Sequence, residues 1–164
     1  MSPSEHTIVI TTSPAPSGGF NDADLRYLRG ALLALKDTRR ASDVAAASAS
    51  DPRVRALARA EGESQADDIS AITSMLRGWD RTEAGPDQAV VTSGLRSLDG
   101  VEVDLRFIEI LTAHANASLV RARIEMIEGI GDSSRLHAED SSRASWRALA
   151  TLSFLEPAGS ARPS

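Results

Sequence analysis

Asp24-Leu25-Arg26-Tyr27-Leu28 and Asp104-Leu105-Arg106-Phe107-Ile108 are two copies of one short pattern, one in each half of a chain of 164 residues. Each copy opens with an aspartate and closes with an aromatic residue followed by an aliphatic one. In each half an amphipathic helix is followed by a short turn and a second helix, whose first apolar residue is Leu57 or Leu136. Two such helix pairs bury their apolar faces against one another, which predicts an all-α four-helix bundle.

Capping residues and helix breakers set the predicted helix ends. Asn21 is a good N-cap, and Asp51 is a cap followed by Pro52 at the first helical position, where its missing N–H does no harm. Glycines end the third helix. The first helix is predicted to run from Asn21 to a point before Asp51, and the second from Asp51 to about Trp79. The third is predicted from Val103 to about Glu128, and the fourth from Asp132 or Ser133 to a point before Pro157.

One domain is expected, because the chain is too short for two well-packed cores. Its two repeats are joined by a long polar connection, which favours a crossover from one end of the bundle to the other. Runs rich in Ser, Pro and Gly indicate a flexible amino-terminal segment and a carboxyl-terminal tail. The predicted boundaries are 1–19 for the first segment, 20–79 and 101–155 for the repeats within the domain 20–155, 80–100 for the connection and 156–164 for the tail.

Composition excludes several classes of function. The absence of cysteine excludes disulfides, thiolate metal sites and cysteine nucleophiles. The net charge of -5 argues against nucleic-acid binding, which needs a basic surface. Ile8-Val9-Ile10 is too short for a signal peptide or a membrane span, so the chain as written is expected to be soluble and cytoplasmic. No phosphate loop, zinc-protease motif or Ser/His/Asp order is present, so we do not expect an enzyme.

Three of the four predicted core stripes carry polar residues at mid-helix. Such a bundle, apolar at its ends and polar at its centre, is the arrangement in which ferritin-like proteins hold metals. The alternative is that a stripe is displaced by one residue and its polar side chains point to solvent. The stripes are Val54, Leu57, Glu61, Gln65, Asp68, Ile72 and Trp79; Phe107, Leu111, His114 and Ser118; and Leu136, Asp140, Arg143, Arg147, Ala150 and Phe154.

Each half resembles the family called domain of unknown function 305, a ferritin-like bundle linked to metal handling, particularly of copper, in bacteria. Its pattern is Asp-x-x-Phe, then Met-x-x-His-His, then a Leu-Ala run leading to Gln-x-x-Glu-Ile in the next helix. The resemblance covers about residues 20–155, and relatives are often exported. The matching residues are Asp24, Tyr27, Leu57, Ala58, Gln65, Asp68 and Ile69 in the first half, and Asp104, Phe107, Leu111 and His114 in the second.

The residues that would bind metal in the family are mostly replaced. Ala34 and Leu35 stand in place of the paired histidines in the first half, and Ala115 replaces the second histidine of the other half. Ala144 and Arg147 occupy the Gln-x-x-Glu positions. The resemblance therefore implies a metal-deficient, non-enzymatic binding or structural module without a cofactor, and it leaves the partner and any homo-oligomer open.

Two hypotheses for the polar centre follow. In the first, His114, Asp68 and Gln65 form a residual site for copper or another transition metal, against the alternative that His114 is a hydrogen-bonded cavity histidine. In the second, Arg147 takes the place of the metal and pairs with Asp68 or Glu61 in a buried ionic network. Arg143 is expected to be a further member of that network.

Overall fold

The computed structural model of the chain describes residues 19–81 and 92–155, and these form an all-α four-helix bundle, as predicted. Apart from a single bridge between Ala49 and Gly100, the described residues contain no β-structure. The predicted tail and most of the predicted flexible segment lie outside the described residues. The helices are α1 (Asp22–Ser48), α2 (Pro52–Gly78), the short α3 (Thr92–Leu95), α4 (Gly100–Glu128) and α5 (Asp132–Ser153).

Side-chain caps fix the starts of α1 and α2 where the sequence predicts them. The Asn21 side chain accepts hydrogen bonds from the backbone N–H of Ala23 and Asp24, and Asp24 accepts one in return from the Asn21 N–H at 2.6 Å. Asp51 accepts from the Arg53 N–H at 2.7 Å, with Pro52 in the first turn. These contacts satisfy amide groups that have no partner inside the helix.

The four long helices are arranged so that one pair of neighbouring helices, α2 and α5, has almost no direct contact. Helix α1 packs along both α2 and α4, and α4 packs along α5, whereas α2 and α5 barely touch. Buried apolar residues form two separate clusters, one around Val54, Leu95 and Phe107 and the other around Leu28 and Ile72. The predicted all-α four-helix bundle is therefore confirmed, and between its two apolar clusters polar residues face the gap between α2 and α5.

The predicted core stripe of α5 is wrong. All six of its residues are exposed, with Phe154 at 81% exposure, and the side that faces the bundle consists mainly of serine and alanine. These small side chains bury little apolar surface, but they let α5 lie close against α4. The buried residues of α5 are Ser134, Ala138, Ser145, Ala148 and Leu152.

The stripe of α2 is partly right. Gln65 is buried as predicted, while Glu61 and Asp68 lie half-buried at the edge of the buried face. The centre of that face is displaced by one residue, to Ala58 and Gly62. A β-carbon at Gly62 would lie 3.5 Å from the Arg39 side chain, which indicates how closely α1 and α2 approach there.

The two aspartates of the repeated pattern each hold the interhelical turn of the opposite repeat. Asp24 accepts hydrogen bonds from the Gly131 N–H at 2.9 Å and from the Ser134 hydroxyl at 2.6 Å. Asp104 accepts from the Ser50 N–H at 2.9 Å and the Ser50 hydroxyl at 2.7 Å, and also from the next N–H along the chain. We call Asp24 and Asp104, with these partners, the aspartate clasp. It explains why aspartate opens both copies of the pattern.

A candidate ligand-binding cavity

A cavity of about 210 Å³ opens in the gap between α2 and α5, with α4 as its floor. It has room for about seven water molecules at about 30 Å³ each, or for a small organic molecule. All four long helices contribute to it, because the small residues of α5 and the slight contact between α2 and α5 leave space there. Its polar lining residues include Glu61, Gln65, Asp68, His114, Ser118, Ser145 and Arg147.

His114 presents an uncharged imidazole to the cavity. The Thr38 hydroxyl donates to the Ala34 carbonyl at 2.8 Å, so at its 2.9 Å contact with His114 it accepts the Nδ1 proton. Burial, followed by the charge of Arg121, lowers the pKa of His114 to about 4. Nε2 therefore carries a lone pair, and the Ser118 hydroxyl, which accepts from Arg121 at 3.0 Å, can donate to it only at the long distance of 3.5 Å. This matches the predicted alternative of a hydrogen-bonded cavity histidine.

Gln65 brings a half-satisfied amide to the same cavity. The Ser42 hydroxyl donates to its Oε1 at 3.1 Å, while its Nε2 is buried without a hydrogen-bond partner. The residue is only 3% exposed, so water from outside does not solvate this group. A buried amide without a partner is unfavourable by about 1–3 kcal/mol. Because a hydroxyl both donates and accepts, a half-turn of the amide would present its oxygen to the cavity instead.

Two carboxylates, Glu61 and Asp68, line the α2 wall of the cavity, and among the described residues neither forms an ion pair with an arginine or lysine. Burial and then the nearby Asp68 raise the pKa of Glu61. Burial also raises the pKa of Asp68; the charge of His137, whose Nε2 lies 4.0 Å away, lowers it in part, and the acidic side chains of Asp67 and Asp140 raise it further. Burial lowers the pKa of His137, so its imidazole provides little positive charge at neutral pH. The α2 wall therefore holds negative charge that is only weakly compensated.

The structure brings together only part of the predicted ionic network. Arg147 is an exposed residue at the cavity lining, and Arg143 forms ion pairs within α5, to Glu139 at 2.9 Å and Asp140 at 3.5 Å. Within residues 19–81 and 92–155, no ion pair joins either arginine to Glu61 or Asp68. The exposed position of both arginines follows from the rotation of α5 relative to its predicted stripe.

All three residues of the predicted metal site line the cavity. Their donor set is one imidazole nitrogen, one carboxylate and one amide, and the described part of the chain contains no group of three His, Cys, Asp or Glu able to hold a metal ion. Transition-metal sites usually combine several imidazole, thiolate or carboxylate ligands. The residues present therefore do not fit a transition-metal site of that kind.

His137 and Tyr27 form a second polar contact, which the sequence interpretation missed. The Tyr27 hydroxyl lies 2.9 Å from His137 Nδ1, and both side chains are largely buried. The repeat itself held the signal, because aligning Leu57-Ala58 with Leu136-His137 places His137 at the fully buried position of Ala58. Aligning the second helices of the repeats would thus have predicted a buried histidine.

A solved structure shares this arrangement of helices. The chain matches the crystal structure of a candidate secreted protein of family DUF305 from Streptomyces coelicolor with a TM-score of 0.71 and 16% sequence identity. The match covers 81% of this chain and 91% of that one. This chain has the DUF305 fold. At this identity the likeness extends to the fold alone, while the sequence matches no family model and no curated protein.

The DUF305 fold agrees with the resemblance noted in the repeated pattern. The aspartate and aromatic positions of that pattern lie in the clasp and in the two apolar clusters, so they serve the fold rather than a site. None of the helices in the described ranges has the length and apolar character needed to cross a membrane.

Proposed function

We propose that this chain is a non-enzymatic binding module of the DUF305 type, which holds a small polar molecule in the cavity between α2 and α5. The observation that carries the proposal is the polar lining of that cavity, where His114 Nε2 has only a long contact of 3.5 Å to the Ser118 hydroxyl and the buried Gln65 amide has no partner at Nε2. A ligand with hydrogen-bonding groups would satisfy both. Convergent polar groups in a cavity are the usual basis of small-molecule recognition.

The state of the ionisable groups supports binding rather than catalysis. Burial raises the pKa of the Tyr27 hydroxyl, which opposes its ionisation, and His114 is uncharged with its Nδ1 proton committed to Thr38. The 4.0 Å separation of Asp68 from His137 is longer than the hydrogen bonds that activate catalytic bases. These groups are suited to hold a ligand by hydrogen bonds.

Cavity filling tests the proposed function. We expect Ser145→Leu to occupy the cavity and to abolish binding of any small molecule that raises the melting temperature of the unchanged protein. The probes are putrescine, 1,4-butanediol and succinate, measured by thermal shift and confirmed by calorimetry. Ser70→Leu, at an exposed position of α2, is the matched control and should keep binding. Circular dichroism checks that both variants stay helical.

Two results would count against a ligand cavity. One is the absence of any thermal shift with all three probes in the unchanged protein. The other is a ligand whose affinity for folded Ser145→Leu equals that for Ser70→Leu, because such a ligand binds elsewhere.

Residual metal binding is the alternative, and it is supported by the convergence of His114, Gln65 and Asp68 on one cavity. Since one imidazole is the only nitrogen base among them, we expect Cu²⁺ and Zn²⁺ to produce neither binding heat nor a thermal shift that depends on His114. Titration of the unchanged protein and of His114→Phe measures this. Binding of either metal that is lost in His114→Phe would establish the alternative.

A further inference from the structure

The charge of the cavity indicates which chemical class of molecule it takes, if the proposed function holds. Glu61 and Asp68 both line the α2 wall, and among the described residues neither has an arginine or lysine within ion-pair distance. The acceptors available to a ligand also include the His114 Nε2 lone pair and the hydroxyl of Ser145. Among the described residues that line the cavity, the permanent cation is Arg147, which is exposed.

The spacing of the two carboxylates is set by the helix that carries them. Glu61 and Asp68 are seven residues apart, which is about 10.5 Å along the axis of α2 at 1.5 Å per residue. Gln65 lies between them, 3% exposed and with one end of its amide free. A linear molecule with a cationic group at each end and a short methylene chain would reach both carboxylates by hydrogen bonds of about 2.8 Å.

We infer that the cavity binds a small organic ammonium compound, and that a linear diamine bridges Glu61 and Asp68 across the buried Gln65. Each ammonium group donates to one carboxylate and compensates the negative charge that α5 leaves unpaired. The methylene chain lies against Leu111 and Ala115 on the floor formed by α4. A half-turn of the Gln65 amide would let its oxygen accept from an ammonium N–H, while its Nε2, which is otherwise without a partner, would donate to the Ser42 hydroxyl.

Calorimetry with three probes of similar length tests this inference. Putrescine carries two ammonium groups, 1,4-butanediol replaces them with hydroxyls, and succinate replaces them with carboxylates. We expect putrescine to bind at least about tenfold more tightly than either of the others, since a hydrogen bond between an ammonium group and a carboxylate is stronger than one between neutral groups. The affinity for putrescine should fall as salt is added.

Three variants of α2 separate the charged wall from its surroundings. Glu61→Gln and Asp68→Asn should each weaken putrescine binding about tenfold or more. Glu63→Gln removes an exposed carboxylate of the same helix and should leave putrescine binding unchanged. The first two variants should stay folded, because neither carboxylate forms an ion pair with an arginine or lysine in the described structure.

The outcomes distinguish this inference from the function on which it rests. If 1,4-butanediol or succinate binds as tightly as putrescine and Ser145→Leu abolishes that binding, the cavity function stands and the ammonium class is wrong. Equal loss of putrescine binding in Glu63→Gln and Glu61→Gln would also overturn the inference. If none of the three probes binds, both proposals fail.

Discussion

Asp24→Ala is expected to lower the free energy of unfolding by about 3–5 kcal/mol, because it leaves several buried donors without an acceptor. Asp24 is fully buried and accepts from the Asn21 and Gly131 N–H groups and from the Ser134 hydroxyl. Burial alone would raise the pKa of Asp24, but the hydrogen bonds from Ser134 and its other partners outweigh it and hold the pKa at about 2. Urea unfolding followed by circular dichroism measures the loss.

The neighbouring Asp22 provides the matched control. It is exposed in the first turn of α1, so Asp22→Ala should remove only a favourable helix-dipole interaction of about 0.3–1 kcal/mol. Because Asp24 is held ionised, its contribution is present above pH 4 and is lost as the pH falls toward 2. A loss for Asp24→Ala no larger than that for Asp22→Ala would show that the clasp does not stabilise the fold.

Glu125→Gln is expected to stabilise the protein by about 2–3 kcal/mol at pH 8 and to change stability little at pH 4. Glu125 is only 1% exposed, and its carboxylate oxygens lack hydrogen-bond partners. Burial, and then the adjacent Asp24, raise the pKa of Glu125 from 4.5 to about 7. The folded protein therefore favours the protonated acid, and stability falls as the pH rises from 4.5 to 7. Glutamine stays neutral and avoids that loss.

Denaturant unfolding at a series of pH values measures this effect. Glu128→Gln is the control, because Glu128 is exposed on the same helix and pairs at the surface with Arg26 at 3.4 Å. The free energy of unfolding of Glu128→Gln should stay close to that of the unchanged protein at every pH. A Glu125→Gln variant that is less stable than the unchanged protein at pH 8 would mean that the ionised carboxylate is compensated.

The sequence predicts the bundle well where local chemistry decides the structure. Asn21, Asp51 and Pro52 start helices by capping contacts with neighbours in the chain, and these contacts form as predicted. The start of α4 is less accurate, since it begins at Gly100 rather than Val103. Gly100 adopts a positive φ of 54°, a conformation that glycine permits, and no apolar periodicity marks it.

The site is predicted less well, because it depends on the rotation of α5. Hydrophobic periodicity assigned Leu136 and Phe154 to the core, yet close packing against α4 buries Ser145 and Ala148 instead. Periodicity records apolar character, and it cannot show that two helices approach through small residues. Arg143 was predicted to face the core, and it is exposed because the buried face of α5 lies elsewhere. In α4 the predicted stripe is buried at Phe107, Leu111 and Ser118, and His114 lines the cavity.

The aspartate clasp has a consequence for the separate halves of the molecule. Asp24 accepts a hydrogen bond from Gly131 in the turn of the second repeat, and Asp104 accepts one from Ser50 in the turn of the first. In a single isolated repeat, the aspartate would therefore lack its donor and the turn would lack its acceptor. Two copies of one repeat related by a twofold axis would satisfy every such contact reciprocally. The bundle thus has the architecture of a symmetric dimer whose subunits have been joined into one chain, and fragments of the two halves should fold by complementing each other rather than singly.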